Sequence, residues 1–181
     1  MNLNTPRLHI RNLQNEDLTE FHHYRSNPEV TKYQGFDVMN LEQAADFINR
    51  MKDKEYGTPG EWVQYGIIDK ETQKLVGDCA IHIHLNESRI AEIGITLSHD
   101  EQKKGYAKEA FTALLEFLFD KQKLHRVVET VDAENIASIS LLKSMGFREE
   151  GHFIENIFFK GKWGSEFQYA MLKMEWDERK L

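Results

Sequence analysis

Residues 89–121 constrain the chain more than any other stretch. An apolar-rich run, 89–97, reads as a strand and enters a short polar loop holding one glycine, Gly105. From Gly105 to about residue 121, Ala107, Ala110, Phe111, Leu114, Leu115 and Leu118 recur at helical spacing and give one apolar face. A second strand-like run, 126–131, follows. Two strands separated by so long a helix can lie parallel, whereas the short links between runs 62–68, 75–85 and 89–97 favour antiparallel neighbours. The pattern therefore predicts a mixed, mostly antiparallel sheet flanked by helices, an α+β fold. The loop between strand and helix is a place for an anion. The first N–H groups of a helix lack intrahelical partners and carry about half a positive charge. Lys103, Lys104 and Lys108 add side-chain charge there.

The rest of the chain supports one domain over 1–181. Residues 8–13 alternate as a half-buried strand does, and Asn15 can cap a helix that Asn27-Pro28 ends. Asn40 opens a helix with Ala44, Phe47, Ile48 and Met51 as its apolar stripe. Residues 135–145 read as a helix closed by Gly146, and 147–154 and 167–174 as strands with a connection over 156–165. With 40% hydrophobic residues the chain has material for a sizeable core. It contains no apolar run of the roughly 20 residues a membrane helix needs. One cysteine, Cys79, excludes an internal disulfide framework and a multi-cysteine metal site. Together with a start that lacks a signal-peptide pattern, this makes the cytoplasm the expected location. The net charge of -7 disfavours nucleic acid as a partner and suits a cationic one, such as an amine.

Gln102-Lys103-Lys104-Gly105-Tyr106-Ala107 spells Gln-x-x-Gly-x-Ala, and Asn135-Ile136-Ala137-Ser138 precedes a helix and Gly146-Phe147. These two motifs resemble those of the GNAT (Gcn5-related) N-acetyltransferases. The opening, Thr5-Pro6-Arg7-Leu8, and the ending, Gly161-Lys162-Trp163 through Tyr169-Ala170 to Glu175-Trp176, resemble the RimJ/RimL-like branch. Other phosphate-binding patterns, Gly-x-x-x-x-Gly-Lys-Ser/Thr and Gly-x-Gly-x-x-Gly, are missing from the sequence. The resemblance implies a GNAT-like single domain in which a splayed parallel strand pair holds acetyl-CoA. It implies that Ile95 and Leu97 pair with the pantetheine arm, that residues Gln102, Lys103, Lys104, Gly105, Tyr106, Ala107 and Lys108 cradle the pyrophosphate, and that Asn135 and Ser138 approach from the other side. Lys103 departs from the family, which usually has glycine there.

The implied reaction is attack of a primary amine on the acetyl thioester, and a neutral amine must be made for it. Glu92 is the candidate base. A carboxylate in an otherwise apolar strand is partly desolvated, which favours proton uptake, and the Ala91-Glu92-Ile93 setting resembles the base position of the Gcn5 branch. The alternative reading pairs Glu92 with His82 or His84 on a neighbouring strand. Many family members carry a tyrosine four residues before the Gly-Phe glycine as acid for the leaving thiolate. Here that residue is Leu142, and Ser138 is the candidate to supply a proton or a hydrogen bond. His82 and His84 share a strand face, but no third ligand at obvious spacing appears, so no metal is expected. Tyr33, Phe36, Trp62 and Trp163 are candidates for the acceptor pocket. The acceptor is a small amine or a protein N-terminus, and the chain a monomer or homodimer. The competing reading is a non-catalytic acyl-CoA-binding or protein-interaction module on the same fold.

Overall fold

The computed structural model describes residues 1–179. The elements run β1 (Leu3–Asn4), β2 (Leu8–Asn12), α1 (Leu18–Arg25), α2 (Pro28–Thr31), α3 (Leu41–Met51), β3 (Trp62–Asp69), β4 (Leu75–Ile83), β5 (Ile90–Leu97), α4 (Tyr106–Leu115), β6 (Arg126–Asp132), α5 (Ile136–Met145), β7 (Arg148–Phe159), β8 (Lys162–Leu172) and α6 (Lys173–Glu178). Eight strands form one sheet in the order β1-β2-β3-β4-β5-β6-β8-β7. Every neighbouring pair is antiparallel except β5 and β6, as the long α4 connection requires.

The two faces of the sheet are covered differently. On one, Val63, Tyr65, Cys79, Ile81, Ile83, Ala91 and Ile93 pack against Ala110, Phe111, Leu114 and Leu118, the apolar stripe of the long helical segment. Cys79 is core, fully buried. On the other face, Leu13, Ile68 and Leu75 meet Phe21, Tyr24, Ala44 and Ile48 of α1 and α3. Asn40 caps α3 through Gln43 N–H (2.9 Å), the role its position suggested.

Four expectations are corrected. Asn15 does not cap α1. It lies in a 3₁₀ turn, Asn15–Asp17, where the Gln14 N–H donates to Asp17 Oδ2 (2.8 Å) and Asp17 also holds Arg11. The helix after Gly105 is α-helical only to Leu115 and continues as a wider π-helical segment, Glu116–Lys121. The connection expected over 156–165 shrinks to the Lys160-Gly161 turn, because β7 and β8 pair almost to their tips. Both turn residues take left-handed backbone, φ +48° and +83°. The last strand ends at Leu172, and α6 begins where Glu175 takes the Leu172 N–H (2.6 Å) and pairs with Arg148.

Candidate active site

The splay between β5 and β6 is the centre of the site. The two strands pair only at Ile90 with Arg126 and Ala91 with Val127, then diverge. In β5 the even-numbered residues turn their main chain to β4: Ile90 accepts from His84 N–H, and Ser98 donates to Val76. The odd-numbered residues therefore face β6. At the neck of the splay the Ile93 N–H meets a side chain instead of a strand, donating to Glu129 Oε1 at 2.8 Å. Beyond it, the main chains of Ile95 and Leu97 face the open gap. The Leu97 carbonyl also has the Gln102 side-chain amide within 3.4 Å.

Glu129 escaped the sequence reading, although a charged residue among Val127, Val128 and Val131 was its signal. It is the desolvated carboxyl of this region. Burial pushes its pKa well above the ordinary range, the Ile93 N–H opposes that shift, and the Glu92 charge adds to it. A raised folded-state pKa means that the folded chain keeps a proton that the unfolded chain releases above about pH 4.5. The group therefore contributes most at low pH and loses its contribution as pH rises. Glu129→Gln keeps an acceptor for Ile93 without the charge. It is expected to be more stable than the parent at pH 7 and equal to it near pH 4. Between those limits the gap widens by up to about 1.4 kcal/mol per pH unit. Denaturant melts from pH 4 to 8 check this, and a pH-independent difference would contradict it.

The loop after β5 is built as an open cradle. Its 3₁₀ turn, His99–Glu101, is followed by left-handed backbone at Lys103 (φ +63°) and Gly105 (φ +84°). The first N–H to close a turn of α4 is that of Glu109, on Gly105 O, so the N–H groups before it have no helical acceptor. Arg7 ties the loop down: its Nη1 donates to Lys104 O (2.9 Å), its Nε to Glu109 Oε2 (2.6 Å), and its guanidinium covers the Tyr106 ring. Tyr106 in turn donates its hydroxyl to Asp69 (2.6 Å), which turns that side chain into the structure. Lys104 pairs with Glu101. A Cβ on Gly105 would stand 3.3 Å from Arg7 Nη2. Left-handed backbone at Lys103 is where glycine would be at ease, since a left-handed lysine costs about 1–2 kcal/mol. Lys103→Gly is therefore expected to leave stability level or raise it by less than about 1 kcal/mol, whereas Gly105→Ala lowers it by about 1–2 kcal/mol. Thermal melts of the two variants decide; effects of the same sign would contradict this account.

Asn135 and Ser138 come together at the start of α5, where Asn135 Oδ1 accepts from Ser138 N–H (3.2 Å). The capping role of Asn135 is thus present. Leu142 is buried in the core, and no tyrosine occupies its place.

Glu92 is on the face opposite α4. Register aligns Trp62, His82 and Glu92 across β3, β4 and β5, with the row Gln64, Ala80 and Gly94 beside it. Glu92 Oε1 lies 2.9 Å from His84 Nε2 and 3.4 Å from His82 Nδ1, so both histidines share its carboxylate. Its side chain is 28% exposed, less desolvated than its strand setting suggested. The Trp62 indole stacks on His82 (centroids 5.0 Å, planes 20° apart). A Cβ on Gly94 would stand 3.8 Å from the Trp62 ring, so the indole lies over that glycine. The other aromatic candidates are placed elsewhere. Phe36 covers the buried Arg25 guanidinium (3.7 Å), Tyr33 lies beside Lys32, and Trp163 packs edge-on to Phe158 on the β7–β8 hairpin. That hairpin reaches over this face, where Lys160 Nζ donates to Thr31 O (2.5 Å) and Phe36 O (3.2 Å).

A strand pair that parts beside a glycine-started helix, with a carboxylate on the adjoining face, is the arrangement of an acyltransferase. The acetyltransferase (GNAT) domain model matches residues 7–148, and the chain belongs to the GNAT acetyltransferase family. The uncharacterized N-acetyltransferase YnaD of Bacillus subtilis is 34% identical over 177 residues, 98% of this chain and all of that protein. A spermidine N(1)-acetyltransferase of Vibrio cholerae is 26% identical, covering 86% of this chain and 87% of its own. The ribosomal protein uS5 alanine N-acetyltransferase of Escherichia coli is 23% identical over 67% and 63% of the two chains. The crystal structure of a GNAT-family acetyltransferase from Bacillus anthracis superposes with a TM-score of 0.87 at 31% identity, covering 97% of this chain and 100% of that one. That of V. cholerae spermidine N-acetyltransferase, in complex with CoA and spermine, shares the fold at a TM-score of 0.79 and 22% identity, covering 95% and 99%. Among the described residues no helix is long and apolar enough to cross a membrane.

Proposed function

We propose that this chain transfers the acetyl group of acetyl-CoA to a primary amine by direct attack on the thioester, with Glu92 as the base. The observation that carries this is the junction of three features on β5: the open edge at Ile95 and Leu97, the cradle that follows at once, and Glu92 on the adjoining face. Acetyl-CoA supplies an activated acyl group. Ile95 and Leu97 offer main-chain groups to the pantetheine amides in the manner of an added strand. The N–H groups at the start of α4, with Lys103, Lys104 and Lys108, neutralise the pyrophosphate. Glu92 takes the proton of the incoming ammonium, directly or through water, so that nitrogen can attack. A main-chain N–H at the end of β5, that of Leu97 or its neighbour, receives the oxyanion. As nitrogen binds the carbonyl carbon, the carbon–sulfur bond breaks and sulfur takes the electron pair. With Leu142 in the tyrosine position, Ser138 donates a hydrogen bond to that sulfur. A thiol is far more acidic than an alcohol, so the sulfur can leave as thiolate without a dedicated acid.

The related spermidine and ribosomal-protein enzymes leave two acceptor classes, polyamine-like small molecules and protein N-termini. The net charge of -7 and the Trp62–Glu92 face suit a cationic amine. The test is release of CoA thiol from acetyl-CoA over a panel of polyamines, small amines and N-terminal peptides, beside calorimetry with CoA. Amine-dependent release with saturable CoA binding is expected. Binding without release for any acceptor would favour the non-catalytic module, and no CoA binding would remove the reading altogether.

A further inference from the structure

The His-x-His pair and Glu92 also make a set of metal ligands. Strand alternation puts His82 and His84 on one face of β4, and register sets Glu92 of β5 opposite His82, so the third ligand comes from the neighbouring strand. That is why no spacing along the sequence displayed it. One ring nitrogen of each histidine and a Glu92 oxygen all lie within 4.8 Å of one another. Zinc bonds of about 2.0–2.2 Å to imidazole and carboxylate place tetrahedral ligand atoms about 3.3–3.6 Å apart. The two contacts to Glu92, at 2.9 and 3.4 Å, are close to that spacing. Three features favour an ion over a mere hydrogen-bonded cluster. Two imidazoles converge on one carboxylate oxygen, so an ion among them would meet two ring nitrogens and an oxygen at once. All three ligands stand on paired strands, and the Trp62 stack holds the His82 ring. The side chains remain 20%, 34% and 28% exposed, which leaves an entry path and a fourth position for water. Two imidazoles and one carboxylate suit zinc, whose filled d shell imposes no geometry of its own.

We propose that His82, His84 and Glu92 bind one zinc ion, and that the bound ion holds acetyl transfer off. The second half rests on the role given to Glu92 above. Each ligand donates a lone pair to the metal, so the carboxylate oxygen is no longer free to accept the ammonium proton. Two neutral imidazoles and one carboxylate leave a charge of +1 on the site, which repels a cationic acceptor.

The experiment uses the full chain without a histidine tag, stripped with chelator and titrated with zinc chloride by calorimetry. Cobalt(II) serves as a visible reporter of four-coordinate geometry. One ion per chain is expected. His82→Asn and His84→Asn should each weaken binding by at least about 10–100-fold, with CoA binding retained as the sign that they fold. No ion bound by the parent, or equal affinity in both variants, would overturn the site. For the second half, acetylated amine is measured by mass, because zinc binds released thiol. Saturating zinc should stop turnover and chelator restore it. Undiminished turnover with the ion bound would overturn inhibition and count against Glu92 as base, while the binding result stands by itself.

Discussion

Replacing Glu92 by glutamine is expected to lower kcat by about 10²–10⁴-fold, the range for loss of a general base, and to leave the affinity for acetyl-CoA nearly unchanged. The separation follows from the strand itself. The Glu92 main chain faces β4 and its side chain the Trp62–His82 face, whereas the groups proposed to meet the cofactor belong to Ile95, Leu97 and the loop beyond. Glutamine has the same shape and can still bond to His82 and His84, so the fold should change by no more than about 0.5 kcal/mol. The measurement is steady-state kinetics in the presence of chelator, which removes any metal effect, with calorimetry of CoA as the control. A kcat within twofold of the parent would take Glu92 out of the mechanism. A fall in kcat accompanied by an equal loss of CoA affinity would point to damage in the splay, where the neighbouring Ile93 N–H is held by Glu129.

What the sequence disclosed, and what it hid, divides along one physical line. Local periodicity and turn chemistry are written in neighbouring residues. Hence Ala110, Phe111, Leu114 and Leu118 announced the helix over the core, Gly146 closed α5 with a left-handed φ of +85°, and Gly105 marked the start of α4. The parallel placement of β5 and β6 followed from connection length alone. Strand ends were less legible. The β7–β8 ladder is broken after Phe153 and resumes over 157–159, because cross-strand pairing with 162–164 carries the strand to the turn. Contacts between distant positions were least legible. Glu92 lies against histidines eight and ten residues away only because β4 and β5 share a register. Glu129 was passed over because its partner is a main-chain group 36 residues distant. Lys103 is the converse case. Its place in a motif that the resemblance gives a glycine is a matter of sequence, and its positive φ shows a backbone that favours one.

The second large effect lies beneath the acceptor face. Asp78 of β4 and Arg25 of α1 are both fully buried and meet through two short bonds from Nη2 (2.7 and 2.8 Å) and one from Nε (3.2 Å). Tyr24 donates its hydroxyl to the same carboxylate (2.6 Å), and Gln64 adds its amide. Burial, and then the Asp78 charge, push the Tyr24 hydroxyl well above its ordinary pKa, so it stays a donor. Phe36 stacks over the guanidinium at 3.7 Å. Asp78→Ala removes the acceptor of every one of these donors and leaves a guanidinium in an apolar pocket. The expected cost is about 3–5 kcal/mol, a fall in Tm of roughly 6–20 °C for a chain of this size. Because Asp78 shares its strand face with Ala80 and His82 and pairs with Thr96 in register, the loss should loosen the proposed acceptor face as well. The KM for the amine should therefore rise more than that for acetyl-CoA. Replacing both partners with apolar residues, Arg25→Met with Asp78→Leu, removes the stranded charge and should recover at least half of the lost stability, because a buried pair is worth far less than the penalty for breaking it. Thermal and denaturant melts of the single and double variants decide the matter. A double variant as unstable as the sum of its singles would mean that this pair contributes through packing shape rather than through charge compensation.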